Sequence, residues 1–380
     1  MGAIGSGIAC PSRALATLTG VLRGDATTEV PVDSDGWAAF LELASAHGLL
    51  PAVWVALRDA DRMVMPEAVA VALERAAPPG RAVPEVVMRR AYDANVDRVQ
   101  RLLDTGVDTL TRFVAAGVPA LPLKGLHTLL TGAWSDPAAR TMVDLDILVH
   151  AETARRAFEL LQGSGFEEHP EPIGEHADHH LPMLRNGDVT VELHTELLVS
   201  RWNSLAPARN VFARATERST PRGRFLMADD TDAFVHLVAH AQLQEDTYRL
   251  LGLPLRPLLE TTLLLDTAID WSDAQARFEH TGVGHVLAAH LDAADRLFGV
   301  RGSPIPTTRR ARAHTRVVEA GVAIPRAVDG WTYLVRLPHS FSEPRMADEF
   351  GPGSGPAWLW GARARHAARR VSVRVGRRGR

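Results

Sequence analysis

Residues 142–149 read MVDLDILV and alternate between apolar and acidic side chains at a period of two. This alternation is typical of a β-strand, because successive side chains of a strand point to opposite faces of the sheet. Asp144 and Asp146 would therefore lie on one face, where their like charges repel unless a cation lies between them. The strand predicts either a cation site or, as the alternative, an ordinary sheet with one polar, solvated face. The opposite face would carry the apolar residues Val143, Leu145, Ile147 and Val149.

A second acidic strand is predicted at residues 188–194, DVTVELH, where Glu192 and His194 share one face. The preceding Asn186-Gly187 pair is a strong signal for a two-residue hairpin turn. If this strand lies beside the first, Glu192 becomes a third carboxylate, and three carboxylates can hold two Mg²⁺ or Mn²⁺ ions. His194 would contact phosphate or tune the carboxylate, and a structural hydrogen bond is the alternative role.

The use of lysine in this chain indicates one further candidate site residue. The chain has 42 lysine and arginine residues, and Lys124 is the only lysine among them. It directly precedes Gly125, in a segment that predicts a short strand leading into a glycine turn. A compact ammonium differs from a planar guanidinium, so the remaining lysine indicates a position that needs the ammonium. The alternative is a chance survivor of a codon bias toward arginine.

Three motifs in this order resemble a known family. LPLKGLHTLL, AARTMVDLDILV and VTVELHTEL are together similar to poorly characterised bacterial nucleotidyltransferases of the polymerase-beta-like superfamily. The Lys-Gly…Arg…Asp-x-Asp order also resembles the nucleotidyltransferase toxins of abortive-infection systems. The resemblance extends from about residue 85 to about residue 300 and includes GLPLRPLLETTLLLDTAIDW, residues 252–271.

The resemblance implies roles for the acidic residues. Asp144 and Asp146 would be metal ligands, and Glu192 would be a further ligand or a base for the acceptor. An acceptor group would attack the α-phosphate of a nucleoside triphosphate, and pyrophosphate would leave. The acceptor could be a small molecule, a peptide, a protein side chain or an RNA end.

The resemblance also implies phosphate-binding residues. Gly125 would let backbone N–H groups approach the phosphates, and Lys124 and Arg140 would bind phosphate oxygens, the arginine bidentately. The superfamily usually has Gly-Gly or Gly-Ser in this turn, whereas Leu126 follows the glycine here. This departure motivates an alternative, a non-catalytic nucleotide-binding or regulatory protein on the same fold. A toxin acting on RNA or protein is a third hypothesis.

The predicted fold class is α+β, with a small mixed sheet flanked by helices. A long amphipathic helix is expected at 84–116 and ends at Gly117, and later helices are capped by Asp229 and Ser272. We expect four regions: an N-terminal helical region at 1–84, a nucleotidyltransferase core at 85–200, a C-terminal helical region at 201–340 and a basic tail at 341–380.

Composition limits the other possibilities. The chain is 46% hydrophobic with a net charge of −3, which allows a sizeable core and gives no global basic field for nucleic acid. Cys10 is the only cysteine, no apolar run reaches membrane-spanning length, and the N-terminus has no signal-peptide pattern, so a cytoplasmic location and no membrane are expected. The eight arginines from Arg363 onward predict either an RNA or acidic partner or a solvated terminus.

Two histidine groups are weaker candidates. His176, His179 and His180 lie in one loop whose spacing matches no known zinc pattern, so contact with substrate is favoured over metal binding. His236 and His240 have the i, i+4 spacing of a zinc chelate but lack the HExxH signature, so a core or helix-surface role is favoured.

Overall fold

The computed structural model describes residues 11–31, 34–62, 83–169, 179–300 and 303–323. Helices surround a small mixed sheet, which confirms the predicted α+β class. The helices are α1 Pro11–Leu22, α2 Ser34–Ala46, α3 Leu50–Asp59, α4 Pro84–Ala115, α5 Lys124–Leu130, α6 Ala154–Gln162, α7 Ala208–Arg214, α8 Asp230–Ala239, α9 Leu255–Leu264, α10 Trp271–His280, α11 Gly284–Phe298 and α12 Arg309–Ala323. The strands are β1 Ala120–Pro122, β2 Leu145–Val149, β3 Glu167–Glu168, β4 Leu184–Asn186, β5 Val189–His194, β6 Thr216–Thr220 and β7 Gly223–Met227.

The main sheet has the strand order β1-β2-β5-β4-β3. Strands β2 and β5 are parallel and the other neighbours are antiparallel, so the chain crosses over from β2 to β5 through α6, β3 and β4. In the parallel pair, Asp146 lies opposite Glu192 and Leu148 lies opposite His194. The predicted placement of the two acidic strands side by side is confirmed.

Strand β2 is shorter than predicted. It begins at Leu145, and Val143 is 62% exposed instead of facing the core. The reason is that the pairing partners of β2 end there: the ladder with β5 begins at Leu145 opposite Val191. Leu145, Ile147 and Val149 are fully buried, as the alternation predicted.

The hairpin between β4 and β5 is confirmed, but its turn lies one residue later than predicted. Asn186 pairs with Val189 in the ladder, so the two loop residues are Gly187 and Asp188. Gly187 has a φ of +60°, a conformation that glycine adopts without steric cost.

The N-terminal helices contribute to the hydrophobic cluster on only one face of the sheet. On one face, Leu145 and Ile147 join a hydrophobic cluster that includes residues from α1 to α4. On the other face, Leu121 and Leu148 pack with residues from α8 to α11. Because side chains alternate along a strand, Asp146 lies on the face that the C-terminal helices cover.

Aspartates cap two of these C-terminal helices. Asp229 caps α8 as predicted and accepts a hydrogen bond from the backbone N of Asp232 at 2.7 Å. The prediction of Ser272 as a cap is wrong, because α10 begins one residue before it. Asp270 is the cap and accepts from the backbone N of Ser272 and of Asp273, both at 3.0 Å.

Some predictions concern other parts of the chain. The long helix is confirmed as α4, and Gly117 follows its end with a φ of +68°. The sequence did not predict the separate β6–β7 hairpin. His176 and the basic tail at 341–380 lie outside the described residues, and the predicted region boundaries stay predictions.

In the described part of the chain, no single helix is both long and apolar enough to cross a membrane. The helical segments Asp35–Ala46 and Leu50–Asp59 together have the length and composition of a membrane span, but they are bent by 119° relative to each other.

Candidate active site

The predicted acidic residues line one cleft with a volume of about 400 Å³. Asp146 and Glu192 occupy paired positions of β2 and β5, and Asp144 lies two residues before Asp146, just ahead of β2. Asp146 is only 4% exposed, whereas Asp144 and Glu192 are half-buried. The three carboxylates therefore converge on one patch beside an open cleft.

Asp146, Glu192 and His194 form a group that fits a metal ion. One potential ligand atom from each lies within 4.8 Å of the other two. His194 Nε2 is 2.9 Å from Asp146 Oδ1 and 3.5 Å from Glu192 Oε2. Two carboxylates and an imidazole are ligands that commonly coordinate divalent cations. Asp144 lines the same cleft but lies outside this group.

Lys124 lies against the same carboxylate. Its Nζ donates to Asp146 Oδ1 at 2.7 Å. Lys124 begins α5 with a φ of +43°, a left-handed conformation that costs a non-glycine residue about 1–3 kcal/mol and that clusters at functional sites. The predicted glycine turn is thus corrected: Gly125 lies inside the first turn of α5, and the unusual backbone belongs to the lysine.

The charges of these groups are strongly coupled. Burial raises the pKa of Asp144 to about 6, and the charges of Asp146 and Glu192 add to the effect. Burial would also raise the pKa of Asp146, but the Lys124 ammonium and the hydrogen bond from His194 hold it well below its ordinary value. The hydrogen bond from His194 lowers the pKa of Glu192. Asp146 and Glu192 therefore form a pair that ionises at lower pH than Asp144.

Two basic groups, Lys124 and His194, contact this pair. Burial opposes charge on Lys124, yet the charge and hydrogen bond of Asp146 raise the Lys124 pKa above its ordinary value. Burial opposes charge on His194 as well, and the hydrogen bonds with Asp146 and Glu192 raise its pKa. The Lys124 ammonium thus offsets part of the negative charge that a metal ion would otherwise balance.

Other histidines surround His194. Residues 179–181 pair with the end of β5, because Leu181 N donates to Leu193 O at 2.8 Å and Thr195 N donates to His179 O at 2.9 Å. The His179 and His180 rings lie 5.3 and 5.7 Å from the His194 ring and line the cleft. Their contact with substrate stays a prediction.

Arg140 is held in the cleft wall from two sides. Its Nε donates to Glu260 Oε1 at 2.8 Å, and both side chains are buried. Asn95 Nδ2 donates to the backbone O of Ala138 and of Arg140, both at 2.8 Å, so α4 fixes the loop that carries the arginine. A Cβ at Gly125 would lie 2.4 Å from Arg140 Nη1. A side chain at residue 125 would therefore have to displace the Arg140 guanidinium.

Several residues in and beside the cleft were not predicted as site residues from the sequence. Arg256 on α9 lines it, and burial together with the positive charge of Arg140 lowers the Arg256 pKa. Glu260 lies one turn further along the same helix. Both belong to the 252–271 stretch that the resemblance covered, but no local pattern in that stretch indicates a turn toward the cleft. The others are Gln244 and Glu245. His240, for which a core or helix-surface role was predicted, also lines the cleft.

A small mixed sheet that presents paired carboxylates, a lysine and an arginine to one cleft has the features of a nucleotidyltransferase. The model of a family described as uncharacterised nucleotidyltransferases matches residues 33–299, well over half of the 380 residues. The chain belongs to this family. The match includes the N-terminal helices from α2 onward, beyond the resemblance that the motifs indicated. Among curated proteins, none matches the chain significantly.

Proposed function

We propose that this chain is a metal-dependent nucleotidyltransferase on a polymerase-beta-like core, which moves a nucleoside monophosphate from a triphosphate to an acceptor and releases pyrophosphate. The observation that carries the proposal is the register of β2 and β5, which sets Asp146 opposite Glu192 with Asp144 on the same cleft. Asp146 and Glu192 are 46 residues apart in the sequence, and like charges that the fold brings together with limited exposure are typical of functional sites.

The donor set fits a divalent cation such as Mg²⁺ or Mn²⁺. Asp144, Asp146 and Glu192 would hold it, and His194 lies within reach of the same position. When bound, the cation would neutralise triphosphate charge and activate the attacking oxygen. Glu192 is proposed as a ligand and not as the base, because its lowered pKa makes it a weaker proton acceptor.

The basic side chains would position the triphosphate. Lys124 has an ammonium already at the carboxylate patch, where it can bind phosphate oxygens. Arg140 is oriented by Glu260, so part of the entropy cost of aligning its guanidinium is met in advance. Rate acceleration would come from positioning and from fixed positive charge, with no covalent intermediate on the protein.

The test compares two aspartate variants, Asp146→Asn and Asp188→Asn. Asp188 is an exposed acid in the neighbouring hairpin and pairs with Arg101 at 2.7 Å, so its variant is the matched control. Purified protein is incubated with α-labelled triphosphates, Mg²⁺ or Mn²⁺, and separate pools of small molecules, peptides, proteins and RNA. Pyrophosphate release and labelled products are then measured.

We expect Asp146→Asn to lower metal-dependent pyrophosphate release by about 10²- to 10³-fold and Asp188→Asn to leave it unchanged. Equal activity in the wild-type protein and Asp146→Asn would reject the assignment. Calorimetry with triphosphate and metal distinguishes an enzyme from a non-catalytic nucleotide-binding protein. The non-catalytic protein would bind the triphosphate but would release no pyrophosphate with any acceptor pool.

A further inference from the structure

A second cavity adjoins the carboxylate cleft. It has a volume of about 110 Å³, lies between α5, α8 and α9, and is mostly apolar. Leu197, Leu237 and Leu264 contribute to its walls. Four residues line both the cavity and the cleft, so the two spaces meet at their side chains: Lys124, Arg140, His240 and Arg256.

One wall of this cavity carries an unpartnered polar atom. His236 lines the cavity and is 4% exposed, and its Nε2 has no hydrogen-bond partner among the described residues. Burial and the nearby Lys124 charge lower the His236 pKa to about 3, so the ring is neutral near physiological pH. A buried ring nitrogen without a partner costs about 1–3 kcal/mol, which a ligand with a polar edge would recover.

We propose that this cavity binds the base of the nucleoside triphosphate and that it selects a base with a single ring. The inference rests on the proposed function and specifies its substrate. An apolar cavity of roughly 150 Å³ is known to hold one benzene molecule. The volume here is about 110 Å³, so a single ring is the largest base that we expect it to take, and a whole purine is too large. Apolar walls would pack on the faces of the ring, and His236 Nε2 would bond to its edge.

The position of the cavity supports the base as its occupant. Lys124 and Arg140, the proposed phosphate-binding residues, lie at the junction of the two spaces. If the phosphates of a triphosphate lie at these cations and at the carboxylates, its nucleoside must extend either into the cleft or into the cavity. The open cleft offers mostly charged and imidazole side chains, whereas the cavity offers the apolar surface that a base requires.

Two variants of the cavity test the proposal. Ala233→Phe adds a ring from a partly exposed position that lines the cavity, and His236→Leu removes the unpartnered nitrogen. Ala276→Phe, at an exposed position of α10, is the matched control. For each protein, calorimetry with Mg²⁺ measures the binding of non-hydrolysable UTP, CTP, ATP and GTP analogues and of inorganic tripolyphosphate. Circular dichroism and thermal melting confirm that each variant is folded.

We expect the wild-type protein to bind the pyrimidine analogues at least about tenfold more tightly than the purine analogues. Ala233→Phe should abolish this preference, and His236→Leu should weaken pyrimidine binding about three- to tenfold, the range for one net hydrogen bond. Neither variant should change tripolyphosphate binding, and Ala276→Phe should match the wild-type protein throughout.

Two results would overturn the inference, and they are distinguishable from failure of the proposed function. Tripolyphosphate binding with equal affinity for all four analogues, or a pyrimidine preference that survives in folded Ala233→Phe, would remove the base from this cavity while leaving the transferase proposal intact. No metal-dependent binding of any triphosphate or of tripolyphosphate would instead reject the proposed function itself.

Discussion

Arg140 Nε donates to Glu260 Oε1 at 2.8 Å across 120 residues of sequence, and both side chains are almost completely buried. This ion pair joins the loop before β2 to α9 and places the guanidinium at the border of both the cleft and the cavity. The C-terminal helices therefore do more than cover the sheet, because they orient a residue of the candidate site.

Removing one partner of this pair should be costly. Glu260→Ala leaves a buried guanidinium without its carboxylate, and we expect the free energy of unfolding to fall by about 3–5 kcal/mol, measured by urea denaturation. The control is Glu319→Ala, whose pair with Arg296 is partly exposed and should contribute about 0–1 kcal/mol. The double variant Arg140→Met/Glu260→Leu should recover most of the stability without recovering triphosphate binding. Recovery of both would show that the pair is structural only.

The single lysine should not tolerate arginine. Lys124→Arg keeps the charge, but its planar fork does not fit the space of a compact ammonium 2.7 Å from Asp146 Oδ1. We expect kcat/KM for pyrophosphate release to fall about 10²-fold, the size of effect seen when one stabilising donor is lost. Arg155→Lys, at a fully solvated position on α6, should leave activity unchanged. Full activity in Lys124→Arg would favour the codon-bias interpretation.

A methyl group at residue 125 should disturb the site. The Cβ of Gly125→Ala would lie 2.4 Å from Arg140 Nη1 and 2.6 Å from Met142 Sδ, so both side chains must move. We expect a loss of about 1–3 kcal/mol in the free energy of unfolding and weaker binding of tripolyphosphate in calorimetry. In Gly163→Ala the nearest atom to the new Cβ is 3.4 Å away, which is an ordinary contact, so this control should change neither quantity. A Gly125→Ala protein with unchanged stability and binding would contradict the close packing of Arg140 and Met142 against residue 125.

Buried histidine should make the fold sensitive to acid. Burial lowers the pKa of His290 to about 3, and the neutral ring accepts from Gln242 Nε2 at Nδ1 while Nε2 contacts Thr261 Oγ1 at 2.8 Å. The unfolded chain protonates this histidine near its ordinary pKa of about 6.5, so the unfolded state binds the extra proton at lower pH. The contribution of His290 to the free energy of unfolding is therefore fully present above about pH 6.5 and declines as the pH falls toward 3.

The contribution of His290 can be measured from the slope of the free energy of unfolding against pH. Each pH unit below 6.5 should remove about 1.4 kcal/mol through this one site, as long as the folded ring stays neutral. Urea denaturation between pH 7.5 and 4.5 should give a steeper decline for the wild-type protein than for His290→Gln. Parallel curves would show that His290 does not titrate between the two states.

Much of the fold was predictable because its signals are local. Alternation at period two predicted β2 and β5, the Asn-Gly pair predicted the hairpin, and helical periodicity predicted α4. The errors are of the same kind: a strand start, a turn and a cap each lay one to three residues from the predicted position, because pairing partners decide where an element begins.

For this protein the sequence determined which residues form acidic strands, since the direction of a side chain follows from its position along the strand. The tertiary structure alone decided that Asp146 lies opposite Glu192, that Lys124 bonds to Asp146 and that Glu260 reaches Arg140. These contacts join residues 22 to 120 positions apart, and register and helix packing, which no local pattern specifies, bring them together. The apolar cavity beside the cleft arises in the same way, because its walls come from elements that meet only in the folded chain.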